Sequence, residues 1–183
     1  GTRIMHGDVK PLNVMRMEGR YLLIDMDAAA HFGEPAGAKS SSAFIPPEMV
    51  HVYEEDKTRH ACVKVPLNAL PPVGSPRDAV KSPSLPSKQA YIPEVASPAI
   101  DLWSFGVLLY QLCTGRALFE ANKDDTLDEQ GMLALATWSQ EKARERTGII
   151  RNRFARHLVR SLLVKESSER MPLEKVLAHP FVT

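Results

Sequence analysis

The stretch IDLWSFGVLLYQL, residues 100–112, restricts the possible folds more than any other feature of this chain. It has helical length and shows apolar side chains on every side rather than along one stripe. Such a helix is stable only where neighbours cover it all round, so it must run through the middle of a core. The apolar run from Leu102 to Cys113 is too short to cross a bilayer, which takes about 20 residues. Thr114-Gly115 ends it, glycine being the common residue just past a helix.

Other segments fit around that helix. Phe154, Leu158, Val159, Leu162 and Leu163 recur on one helical face and predict a second core helix. A last short helix is expected from Pro172 to just before Pro180. In VMRMEGRYLLI, residues 14–24, two strand-like runs flank Glu18-Gly19 and predict a small β-hairpin. With 183 residues, 44% hydrophobic and 25% charged, the chain suits one soluble domain. The expected fold is mostly α, with one hairpin near its start.

Residues 54–98 break the pattern. Eight of the 14 prolines lie between Pro66 and Pro98, interleaved with serines. Proline removes backbone donors and restricts its predecessor, so no long helix or central strand is expected there. The segment reads as an exposed, mobile insertion. Its Ser75-Pro76, Ser82-Pro83 and Ser97-Pro98 steps read first as turn chemistry, second as phosphorylation sites.

Charge excludes some partners. Net charge is +1, and a local excess of +5 over residues 141–160 is offset by −4 over residues 124–129. No aromatic platform accompanies the basic residues, so residues 141–160 read as a solvated helix face, and neither nucleic acid nor a membrane surface is expected as a partner. Trp138 reads as a packing residue. Cys62 and Cys113 are isolated, suggesting no disulfide or zinc site and a reducing, cytoplasmic setting. His31, His51, His60, His157 and His179 show no metal-ligand spacing.

Chemistry concentrates in HGDVKPLN, residues 6–13. Phosphoryl transfer needs an oriented hydroxyl, a metal across the phosphates and positive charge where negative charge builds. Asp8 can accept or orient a hydroxyl proton, Lys10 can neutralise a γ-phosphate, and Asn13 offers a neutral oxygen to Mg²⁺. Asp25 lies beyond the hairpin, which returns the chain towards Asn13 and can supply a second metal oxygen.

This loop resembles the catalytic loop of eukaryotic-type protein kinases, and further likenesses follow in order. LIDMD resembles their D-F-G metal motif, AFIPPEM the A-P-E that closes the activation segment, and IDLWSFG the opening of the central large-lobe helix. ERMPLEKVLAHPF resembles the domain's end. The resemblance implies a protein-kinase-like C-terminal lobe, α+β once a small lobe is added, spanning residues 1–183 with 54–98 as an insertion. Its implied cofactors are ATP and Mg²⁺, and its implied substrate is Ser or Thr in proteins.

The resemblance also implies roles. Asp8 becomes the catalytic base, Lys10 a contact to the transferred phosphate, and Asn13 and Asp25 the Mg²⁺ ligands. Ser41 stands where an activation-segment Thr meets the catalytic loop. His6 and Met26 are expected to stack between the two loops, Asp101 to anchor the catalytic loop from below, and Glu48 to pair with Arg170. The chain opens inside the catalytic-loop region, so the small lobe is expected upstream and the isolated piece is expected to be inactive.

Departures are equally specific. Gly7 replaces the Arg of H-R-D, so an activation-segment phosphate has no arginine to hold it, and activity independent of such phosphorylation is expected. Ser40, Ser41 and Ser42 read first as backbone-bonding loop serines, second as phosphate acceptors. Met26 and Asp27 replace Phe and Gly of D-F-G. Two alternatives remain: a pseudokinase binding module, and a small-molecule phosphotransferase of the aminoglycoside or choline kinase type. The latter lacks the PPE, DLWSFG and Arg170 blocks.

Overall fold

The computed structural model describes residues 3–36, 41–55, 58–63 and 94–183, with the backbone alone for 51–55 and 58–63. Strand β1 (Ile4–Met5) leads to a single 3₁₀ turn, Pro11–Asn13. A hairpin of β2 (Val14–Met17) and β3 (Arg20–Leu23) follows, and then β4 (Ala30–His31). β4 returns antiparallel to β1, pairing Met5 with Ala30, so the catalytic-loop candidate and the Asp25 segment leave the same two-stranded ribbon. The hairpin pairs Val14 with Leu23 and turns at Glu18-Gly19, both with positive φ (50° and 78°). That is the backbone a two-residue hairpin turn demands.

A second 3₁₀ turn, Pro47–Met49, runs into β5 (Val50–Glu55), which pairs antiparallel with β6 (Thr58–Val63). The front of the expected insertion is thus a strand pair, which is possible because its prolines begin only at Pro66. Residues 64–93, with the Ser75 and Ser82 steps, lie outside the described residues. The chain rejoins at Val95, bridged antiparallel to Pro35.

The helices are α1 (Pro98–Thr114), α2 (Glu129–Ala136), α3 (Gln140–Thr147), α4 (Arg153–Leu162) and α5 (Leu173–Leu177). α1 buries Leu102, Trp103, Val107, Leu108, Leu109 and Tyr110, so its apolar coat meets neighbours on several sides. It stops at Gly115 in the left-handed region (φ 68°), whose amide bonds to the Gln111 carbonyl. α4 buries Leu158, Val159 and Leu162. Phe154, expected in the same core stripe, is instead 38% exposed: it sits in the first turn of α4, where its ring is covered in part by the Arg153 guanidinium rather than by the core. Trp138 is a packing residue: it meets Trp103 and Phe119 edge-on and donates its indole N–H to the Leu163 carbonyl at 2.9 Å. No helix among the described residues is long and apolar enough to cross a membrane.

α4 packs tightly against α1 at Gly106, where an added Cβ would lie 2.8 Å from the Leu162 Cβ. Gly106→Val should therefore overpack the core and lower stability by about 1–3 kcal/mol. A urea-unfolding midpoint equal to wild type would contradict that packing.

Candidate active site

Asp101, in the first turn of α1, fixes the opening loop. Its carboxylate accepts the His6 amide at 2.7 Å and the Gly7 amide at 2.9 Å. The buried His6 ring has Nε2 3.1 Å from the Ile24 carbonyl oxygen, and Nδ1 accepts the Asp8 amide at 3.3 Å. One neutral tautomer satisfies both contacts. The core helix thereby holds the loop, and the loop holds the strand end that precedes Asp25.

Asp8 is the hub. Lys10 Nζ lies 3.0 Å from Oδ2, the Asn13 side-chain amide donates to the same oxygen at 3.0 Å, and the Ser41 amide donates to Oδ1 at 3.1 Å. Lys10 Nζ also donates to Ser41 Oγ at 2.6 Å. Burial pushes the Asp8 pKa up, but hydrogen bonds from Lys10 and the Ser41 amide, with the Lys10 charge, hold it below the usual carboxylate range. Burial pushes Asp101 up, and its bonds from the His6 and Gly7 amides offset this only in part.

These shifts have opposite signs. Asp8 has a depressed folded pKa, so the stability it contributes is present at neutral pH and is lost as pH falls through that value. Asp101, raised, takes stability away as pH rises through its own. The stability of wild type relative to Asp8→Asn should accordingly shrink as pH falls from about 5 to 3, read by denaturant midpoints. A constant difference across that range would show that Asp8 is not held by these partners.

For Mg²⁺ the donor set is chemically suitable. Asn13 is buried, and its amide nitrogen is spent on Asp8 oxygens at 2.8 and 3.0 Å, which leaves its carbonyl oxygen for a hard cation. The Ile24 amide bonds to the main-chain carbonyl of Asn13 at 2.9 Å, which leaves the side-chain oxygen free and brings the chain past Asn13 one residue before Asp25. Asp25 itself has a left-handed backbone, φ 65°. Two oxygen donors suit Mg²⁺, which keeps several waters of its own. Among the described residues no three His, Cys, Asp or Glu side chains converge.

The segment after residue 40 is anchored independently. Ser42 Oγ accepts the Leu127 amide at 2.8 Å, the Ala43 amide bonds to the Asp125 carbonyl, and Ser104 Oγ donates to the Phe44 carbonyl at 2.8 Å. Ser42 is a loop serine bonded to backbone, whereas nothing in the sequence analysis gave Ser104 an anchoring role. A serine inside an otherwise apolar helix was the available signal, since a buried hydroxyl needs a partner. Glu48 meets Arg170 in a two-point ion pair at 2.9 and 3.0 Å. Met26 does not form the expected buried stack with His6. It is 53% exposed, because no described residue covers that side of the hairpin.

Against known proteins, residues 91–182 match the family model described as protein kinase domain. The serine/threonine-protein kinase Aurora-1 of Arabidopsis thaliana is 25% identical over the whole chain, which covers 46% of that protein. The protein kinase C eta type of Mus musculus is 34% identical over 46% of the chain and 12% of its own length. Among solved structures, the Cydia pomonella granulovirus kinase PK-1 superposes on 99% of the chain and 51% of its own, with TM-score 0.60 and 18% identity. This chain belongs to the protein kinase domain family. It spans about half the length of the Aurora relatives it matches, 46% and 48%.

Proposed function

We propose that the chain is the large lobe of a protein serine/threonine kinase, transferring the γ-phosphate of ATP to protein hydroxyls with Mg²⁺. The observation that carries this reading is the convergence of Lys10, Asn13 and Ser41 on the Asp8 carboxylate. Asp8 would take or orient the substrate hydroxyl proton, and Lys10 would turn from Ser41 to the transferred phosphate. Asn13 and Asp25 would hold the metal, whose part is to draw charge off the phosphates. Ser41, at the end of the substrate-side segment, would close the site over Asp8.

A small lobe from the same polypeptide would complete the nucleotide site. Exposed apolar residues on both faces of the hairpin, Met15, Met17 and Leu22 on one and Tyr21 and Leu23 on the other, support this, since each face then calls for a cover. The test is ATP titrated into the intact polypeptide with and without Mg²⁺. Mg²⁺ should tighten binding at least about tenfold, and Asp25→Asn should remove that gain. Binding indifferent to Mg²⁺ would defeat the reading.

A further inference from the structure

Gly7 is more than a missing arginine. Its backbone is left-handed at φ +81°, and a Cβ built there would overlap the Ala28 carbonyl oxygen, with the Ala28 carbonyl carbon and Cβ both at 3.2 Å. These obstacles are backbone and a methyl group, so no rotamer change clears them. Nor can Gly7 retreat easily, because Asp101 grips the His6 and Gly7 amides at 2.7 and 2.9 Å. Residues 24–29 are held from their own side. Ile24 bonds to the Asn13 carbonyl and, through its own carbonyl, to the His6 ring, and the Ala29 amide closes a turn on the Met26 carbonyl. The segment bearing Asp25 therefore rests directly on the bare Cα of residue 7.

We infer that Gly7 is a positioning residue for Asp25. Without a side chain it lets the Asp25 segment seat against the loop that carries Asp8 and Asn13. Any side chain there displaces that segment and spreads the two metal oxygens apart. Gly7 and Ala28 are then one coupled arrangement, and an arginine cannot be restored at position 7 alone. The contact rests on geometry; its consequence for Mg²⁺ rests on the function proposed above.

The experiment compares wild type, Gly7→Ala, Ala28→Gly and the double variant in the intact polypeptide. Two quantities are read: melting temperature, and the Mg²⁺ concentration at half-maximal binding of a fluorescent ATP analogue. Gly7→Ala should lower the first and raise the second about tenfold or more, and Ala28→Gly in the same chain, which removes the methyl and frees the residue 28 backbone to turn its carbonyl away, should recover part of both. A purely structural role would lower the melting temperature and leave the Mg²⁺ midpoint where it was. Wild-type behaviour of Gly7→Ala, or strictly additive effects in the double variant, overturns the inference. If Gly7→Ala does not fold at room temperature, the pair is compared in the cold: a double variant more stable than Gly7→Ala supports the contact, and one no more stable overturns it. If wild type binds no Mg²⁺-nucleotide, the proposed function fails, and the melting-temperature cycle alone still decides whether Gly7 and Ala28 are coupled.

Discussion

Arg170→Leu should lower the melting temperature of the intact kinase domain by about 6–20 °C, corresponding to a loss of roughly 3–5 kcal/mol. The Arg170 side chain is fully buried and its guanidinium meets Glu48 at two points. It also donates to the carbonyls of Ala99 at 2.5 Å and Val164 at 2.9 Å, and lies 5.3 Å from the centre of the Trp103 ring. One side chain thus ties the close of the substrate-side segment, the start of α1 and the stretch after α4. Leucine would leave the Glu48 carboxylate and two carbonyls unanswered. Glu48→Gln should cost less, about 1–3 kcal/mol, because an amide oxygen still accepts one bond. Calorimetry of the two variants side by side reads this order, and equal losses would contradict it.

Asp8→Asn should reduce phosphoryl transfer by about 10²- to 10⁴-fold, the usual weight of a positioned general base. Asparagine keeps the shape and can still accept the Ser41 amide, so the loop should stay seated. What it loses is the charge that draws Lys10 to 3.0 Å and the oxygen that could accept a proton. ATP affinity should stay within a few-fold, because Asp8 is not one of the proposed metal ligands. A large loss of affinity with little change in turnover would instead make Asp8 part of the metal site.

The elements legible in the sequence were those fixed by local chemistry. α1 announced itself by apolar residues on every side, its end by Gly115, and the hairpin by Glu18-Gly19. α2 was not foreseen, and α3 only as part of a solvated helix face over residues 141–160. α3, QEKARERT, buries only Ala143 and Thr147, so it has no apolar stripe to read, and its Ser139 cap is a weak signal by itself. The polar cluster around Asp8 could be anticipated because its members lie within eight residues, Ser41 and Asp101 excepted. Those two, and the Glu48–Arg170 pair, came from the ordered motif blocks rather than from spacing. Contacts between distant backbones left no trace in the sequence. Gly7 read as an absent arginine, and its meeting with Ala28 depends on how two loops leave one ribbon. Likewise His157 and His179, 22 residues apart, stack with ring nitrogens 2.8 Å from each other, which no spacing rule signals.

If the loop of residues 6–13 transfers phosphate to protein hydroxyls, as proposed, the transfer itself can be measured. Its most direct test is radiolabelled γ-phosphate transfer from ATP by the intact polypeptide, offered a generic Ser/Thr protein and, separately, a small amino alcohol, across a Mg²⁺ titration. Saturable, Mg²⁺-dependent labelling of serine or threonine in the protein, absent from Asp8→Asn, is the predicted result. Nucleotide binding with no transfer to either acceptor, or transfer to the alcohol alone, would contradict it.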